Sequence, residues 1–346
     1  MLFIFRLREI VNQPSLINLE ENYIALNSQD PAAILIYDED VSRAILKSKL
    51  AAPTNFVDYF KFANNRPDIK FQYIEEHFRY TPVMLSGEAH KDSRKAVSKL
   101  YALIESKCPD WLPRFTEEFF AQLDDADENF DYISFVQKYL ALAFNQMILL
   151  ELDLHDVEMP PSVGEILHMF RSVDEINAYE KRLETLVRFV ECALLAQKKD
   201  PKDAWMLVSI AVMGTEPLLG ALFYGMAHES PNKEAWNAYS LLRESAPVST
   251  VTRFMLDDLV INDLHLKKNQ LLYFSFDLIH YKMNATGKHS KSYSFGDGPH
   301  TCPGNKIALI IVEAFMGAWD KRKPINLDLE KYQFQRDFIL RPKIHG

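Results

Sequence analysis

The chain has 346 residues, enough for one large domain or two small ones, and its 48% hydrophobic and 25% charged content is that of an ordinary globular protein. A formal net charge of −9 argues against general nucleic-acid binding. The cysteines, Cys108, Cys192 and Cys302, are few and widely spaced, which suits a reducing compartment and no disulfide framework.

The opening stretch Met1-Leu2-Phe3-Ile4-Phe5 is broken by Arg6, too soon for a signal sequence or a membrane span. No internal repeat, low-complexity segment or Gly/Ser linker divides the chain. Ala32 to Tyr37, bounded by Pro31 and Asp38, reads as a strand. Asp38-Glu39-Asp40 then opens a helix through Val41, Ala44 and Ile45, with acids in its first turn. From Ala51 to Met84 aromatics are dense, among them Phe56, Tyr59, Phe60, Phe71 and Phe78; such density marks core more often than pocket. Ser86 is placed to cap a helix with Glu88 in its first turn. On that helix His90 and Arg94 share a face and offer donors to an anionic carboxylate. Lys91, Lys95 and Lys99 form a basic row beside them.

Phe130 to Leu152 is apolar at helical spacing, and residues 151–161 break the pattern; Tyr179 to Gln197 is a further amphipathic run. Ala204 to Ala227 reads as a buried central helix, too interrupted to span a membrane. Pro217 withholds a donor from the Met213 carbonyl and predicts a bend there. The other reading of this turn has Thr215 capping a new helix with Glu216 and Pro217 in its first turn. Leu259-Val260-Ile261 and Gln270 to Ser275 read as a small β region, so the chain is mainly α with a small β region. Near the end, glycines at 296, 298 and 304 surround Cys302, and an apolar run from Ile307 to Trp319 follows. A thiolate there would receive backbone N–H groups and the positive end of a helix dipole, which suits a metal ligand. The ordinary alternative is a small buried apolar residue.

Phe295-Gly296-Asp297-Gly298-Pro299-His300-Thr301-Cys302-Pro303-Gly304 resembles the haem-binding loop of the cytochrome P450 family, Phe-x-x-Gly-x-(Arg/His)-x-Cys-x-Gly, at every fixed position. The resemblance implies haem b, with Cys302 supplying the axial thiolate that favours O–O cleavage. It implies one domain over residues 1–346 with a P450-like fold and trimmed peripheral segments. It also implies the soluble, cytoplasmic bacterial type, without a membrane anchor. His90 and Arg94 resemble the family helix that grips a haem propionate. Arg253, ten residues after Arg243, falls at a second propionate-binding position, and His300 is a further propionate holder. Val248 to Val251 would pass beside the substrate, and the aromatic segment before Met84 would roof the pocket.

Two stretches depart from the family pattern. Its central helix usually presents an acid followed by Thr to deliver protons. Here the order is Thr215-Glu216, and anchoring on Gly220 puts the acid and alcohol positions on Met213 and Gly214. Thr215 and Glu216 are then proton donors from a shifted turn, with Met213 and Gly214 lining the pocket. Tyr239 to Val248 resembles the Glu-x-x-Arg helix and the turn after it, with Ser240 in place of Glu. Arg243 therefore needs another acid, carbonyl partners or solvent, because a buried Arg without its carboxylate is costly.

The resemblance implies a haem-thiolate monooxygenase that oxidises, and most simply hydroxylates, a small or medium organic molecule in specialised biosynthesis. Electrons would come from NAD(P)H through a reductase and a ferredoxin- or flavodoxin-like donor, steered by the lysine row and Lys306. The substrate would be a small molecule, free or tethered to a carrier protein, with no nucleic acid and no membrane as partner. The departures leave open a peroxide-using or rearranging haem-thiolate enzyme, and a non-catalytic haem-binding or recruitment protein.

Overall fold

The computed structural model describes residues 2–26, 33–54, 56–65, 70–125, 130–149, 160–161, 172–228, 237–287, 292–322, 332–336 and 338–344. Its α-helices among these are α1 Leu2–Asn12, α2 Glu39–Lys47, α3 Phe56–Ala63, α4 Gln72–Arg79, α5 Gly87–Phe120 and α6 Tyr132–Leu149. They continue as α7 Val173–Ala196, α8 Ala204–Ala227, α9 Ala238–Ser245, α10 Phe276–Ala285 and α11 Asn305–Arg322. Residues 1–54, 239–302 and 334–341 form one compact unit, and residues 55–238, 303–333 and 342–346 form another.

The first unit is built on a five-stranded sheet. Its strands are β1 Tyr23–Ala25, β2 Ala33–Ile36, β3 Ala51–Ala52, β4 Thr250–Met255 and β7 Leu271–Ser275, in the order β1-β2-β7-β4-β3. All four residues of β2 are buried, as an uninterrupted apolar run in mid-sheet should be. It pairs parallel to β7, which pairs antiparallel to β4 so that Arg253 lies opposite Leu272. A separate ribbon joins β5 Leu259–Ile261 to β6 Leu264–Leu266. The strand expected from Ala32 begins at Ala33; residue 32 lies outside the described residues.

Asp38 caps α2 as its position suggested, its side chain accepting from the Asp40 and Val41 N–H groups at 3.0 and 3.1 Å. The core of this unit gathers Leu35, Ile36, Tyr37, Phe274, Phe276 and Tyr293. Each buried side chain of that size contributes about 1.5–3 kcal/mol before entropy is counted. Helix α10 follows β7 directly. Its start is fixed by Ser275, whose hydroxyl accepts from the Leu278 N–H at 3.3 Å.

The second unit is helical. Helix α5 runs 34 residues and passes through Pro109 and Pro113 without ending. Ser86 occupies its N-cap position, but its side chain makes no capping bond. Phe120, Phe135, Tyr139 and Phe315 bring α5, α6 and α11 together through ring centroids 4.9–6.5 Å apart. Phe56, Phe60, Phe71 and Phe78 pack on one another across α3 and α4; Phe60, Phe71 and Phe78 are core, and Phe56 is partly exposed. Helix α7 opens with a capping box between Ser172 and Glu175, a signal legible in the sequence. The expected break over 151–161 lies outside the described residues, apart from Pro160 and Pro161.

Helix α8 is the buried central helix expected over Ala204–Ala227, and it excludes the other reading of its middle turn. It is one continuous helix through Pro217 and does not restart at Thr215. A proline removes one backbone bond, and burial on nearly every side holds the turns on either flank. The segment is also not too interrupted to cross a bilayer: by length and composition residues 201–227 would suffice. Within the protein, 78% of that apolar window is buried, which is the environment of a core helix.

Candidate functional site

In the first unit, Phe295, Gly298, His300 and Cys302 occupy one tight loop. The Gly296 N–H donates to the Tyr293 carbonyl at 2.7 Å, and the Cys302 N–H donates to the Phe295 carbonyl at 2.8 Å. These bonds fold the segment back on itself and leave Cys302 partly exposed, in no disulfide. Gly298 has φ +70°, and a Cβ there would lie 2.5 Å from the Leu46 carbonyl oxygen, so only glycine fits. Asp297 is buried, accepts the Gly298 N–H at 2.7 Å, and faces Arg43 Nε at 3.8 Å and Lys47 Nζ at 3.9 Å. The loop is thereby tied to α2 from two sides.

Arg253 lies on β4, two residues from Val251 on the same face of the strand. Only 5% of its surface is exposed. Its Nη1 donates to the Thr252 carbonyl at 2.7 Å, while its Nε has no hydrogen-bond partner and the group forms no ion pair among the described residues. Burial pushes its pKa down to about 10. A buried cation without an anion is costly, and a carboxylate brought by a ligand would satisfy it. Val248 is partly exposed in the turn before β4, bridged to Ile339. Arg243 resolves as the partly exposed case: its guanidinium donates to the Asn284 side chain at 2.9 Å.

In the second unit, His90 is buried and Arg94 half-buried on one face of α5, with Tyr101 seven residues further along it. Gly304 packs against Tyr101, where a Cβ would come within 2.7 Å of the ring. Between Leu207 and Phe223 of α8, only Met213, Gly214 and Pro217 are not fully buried. They stand at i, i+1 and i+4, a single open turn within that enclosed stretch of the helix. Gly214 also admits the Phe144 ring, whose Cζ would be 2.7 Å from a Cβ. Thr215 and Glu216 are buried off that turn, and the Thr215 hydroxyl donates to the Ala211 carbonyl at 2.6 Å.

The structure also supplies partners that the sequence did not suggest. His280 Nε2 accepts the Tyr293 N–H at 2.8 Å, and the Tyr239 hydroxyl accepts the Ser292 N–H at 2.9 Å. Neither has a sequence signature, because both depend on where α9 and α10 bring them. Lys306 pairs with Glu105 at 2.8 Å and Lys91 with Glu88, so part of the basic row is locally neutralised.

No family model matches the chain. A relative, the steroid C26-monooxygenase of Mycolicibacterium smegmatis, is 21% identical over 184 residues, covering 47% of this chain and 43% of the relative. The aligned stretch thus spans less than half of that protein's length. Solved structures match across nearly the whole chain. CalO2 has a TM-score of 0.71 at 13% identity, covering 96% of this chain and 94% of its own. P450 RauA, complexed with a biosynthetic intermediate of aurachin RE, has a TM-score of 0.69 at 13% identity, covering 99% and 96%. The chain has the cytochrome P450 fold. P450BioI, solved in complex with an acyl carrier protein bearing hexadec-9Z-enoic acid, shares that fold at a TM-score of 0.69 and 13% identity, covering 89% and 90%.

The side chains present suit the prosthetic group that the Cys302 loop implies. Arg253 is a buried cation lacking an anion among the described residues, and a haem propionate is such an anion. Cys302 is a soft sulfur donor at a glycine-shaped turn just before α11, as a thiolate ligand requires.

Proposed function

We propose that the protein is a haem-thiolate monooxygenase that hydroxylates a small or medium organic molecule in specialised biosynthesis. The observation that carries this reading is Cys302, held at the turn before α11 in a chain with the cytochrome P450 fold. Haem b, when bound, would supply the dioxygen-activating chemistry, and the Cys302 thiolate would hold its iron.

Every other role falls to this chain's own residues. Cys302 ligates the iron, and Phe295, Gly298 and Gly304 shape the loop that presents it. Arg253, His90, Arg94 and His300 hold the propionates as donors. Met213 and Gly214, with Val248 and Val251, line the substrate pocket. Glu216 holds the proton that the reaction consumes, and the Thr215 oxygen, whose own hydrogen is committed to the Ala211 carbonyl, remains an acceptor beside it.

Electrons come from NAD(P)H through a reductase and a ferredoxin- or flavodoxin-like donor. The substrate is free or carrier-tethered, the second option supported by the carrier-bound neighbour. The protein works in the cytoplasm as one domain over residues 1–346. A second reading, peroxide-driven oxidation, is favoured by one observation: the open turn of α8 carries Met213, Gly214 and Pro217, and no acid or alcohol. Turnover of a substrate panel separates the two. Product that requires NAD(P)H, reductase and donor protein supports the first reading; equal product from peroxide alone supports the second. No product from either, with ligands still perturbing the haem spectrum, contradicts both.

A further inference from the structure

We infer that an uncharged hydrogen-bond clasp, made by His280, Tyr239 and the Leu242 carbonyl, positions the Cys302 loop where a Glu–Arg pair is missing. The inference rests on Cys302 being the iron ligand, as proposed above. Position 240 is Ser, and Arg243 spends its guanidinium on the Asn284 side chain at a partly exposed place. Residues 292–294, which lead into the loop, are instead held one after another. The Ser292 N–H donates to the Tyr239 hydroxyl at 2.9 Å. The Tyr293 N–H donates to His280 Nε2 at 2.8 Å. The Ser294 hydroxyl donates to the Leu242 carbonyl at 2.6 Å and lies 2.7 Å from the Ser292 hydroxyl.

The clasp reaches the sulfur through the backbone. The Tyr293 carbonyl accepts the Gly296 N–H, and the next turn closes with the Cys302 N–H on the Phe295 carbonyl. Tyr293 is further fixed by its hydroxyl, which donates to the Glu39 carbonyl at 3.2 Å, and by its ring against Phe276. His280 can accept only because it is neutral. It is 4% exposed, and burial, reinforced by the Arg243 and Arg336 cations, pushes its pKa down to about 4. The groups facing it are therefore Arg243 from α9, Arg336, and the Tyr293 ring. Protonation would set a donor against the Tyr293 N–H, a buried backbone group with no other described acceptor.

His280 is thus a positioning residue for the thiolate, and three variants of the haem-loaded protein test it. The readout is the ratio of the red-shifted Soret band of the reduced carbon-monoxide complex, which marks thiolate ligation, to the band of the form that has lost it. His280→Gln keeps an acceptor near the place of Nε2 and should retain the wild-type ratio at neutral pH. His280→Phe removes the acceptor and should lower the ratio about tenfold. Tyr239→Phe, at a side chain 42% exposed, spares the core should His280→Phe fold poorly, and it should lower the ratio less. On acidification the wild type should lose the thiolate band toward about pH 4, and His280→Gln should keep it to lower pH. If the wild type shows the band and all three variants match it at every pH, the clasp is overturned while the haem-thiolate reading stands. If the wild type itself lacks the band, both fall.

Discussion

The Thr215 hydroxyl donates to the Ala211 carbonyl at 2.6 Å, four residues back on the same buried helix. A threonine bonded in this way has its proton parked on the backbone, and it neither caps a helix nor points a donor at the open turn. Thr215→Val should therefore lower product formed per dioxygen consumed by less than about tenfold. Glu216→Gln removes the proton holder itself and should cost about a hundredfold. Oxygen uptake measured beside product formation checks both, and the reverse order would return the proton role to Thr215.

Arg253 makes an opposite pair of predictions for the empty and loaded protein. Its buried charge has no described anion, and burial lowers its pKa to about 10. Arg253→Met should stabilise the apoprotein toward urea by about 1–3 kcal/mol, because it removes an uncompensated buried cation. The same change should weaken haem retention about tenfold or more, read as faster transfer of haem to apomyoglobin. A variant that weakens both forms would deny Arg253 the propionate role.

Gly298 and Gly304 should respond differently to alanine. At Gly298 the new Cβ meets a fixed backbone oxygen at 2.5 Å, on a residue with φ +70°. At Gly304 it meets the ring of Tyr101, which can shift. Gly298→Ala should destabilise the protein by more than about 2 kcal/mol, and Gly304→Ala by less than that in thermal or urea melts. Tyr101→Ala should rescue Gly304→Ala, while no truncation of a side chain should rescue Gly298→Ala.

Two buried histidines give the stability a definite pH dependence. Burial pushes both His77 and His280 down from 6.5 to about 4. In the unfolded chain each takes a proton below about pH 6.5, and in the folded protein neither does until about pH 4. Across that window the unfolded state binds more protons, so stability is full above it and falls as pH drops. Each histidine accounts for a loss of about 3 kcal/mol over the window. His77→Leu should remove roughly half of the slope in urea melts. An unchanged slope would place the titration elsewhere.

Much of this was legible in the chain because it is written locally. Asp38 before acids, the apolar strand at Ala33–Ile36 and the glycines around Cys302 each specify their backbone through neighbours within a few residues. What was not legible depends on distant partners. Pro217 withholds a backbone donor, and the helix continues through it because its flanks are buried by distant segments. The Ser172–Glu175 capping box was readable and marks the start of α7 better than the apolar periodicity did. The orphan Nε of Arg253 and the His280–Tyr293 bond join segments that sequence spacing does not relate. The partner of Arg243 could not be named either, since Asn284 lies on a helix whose Ser275 cap is a weak signal.

The measurement that bears most directly on the central claim is the spectrum of the reduced, carbon-monoxide-bound protein. Wild type should show the red-shifted Soret band of thiolate ligation, and Cys302→Ser should lose it while still binding haem through the remaining contacts. A wild-type protein that takes up haem without that band, or a Cys302→Ser variant that keeps it, would contradict the account.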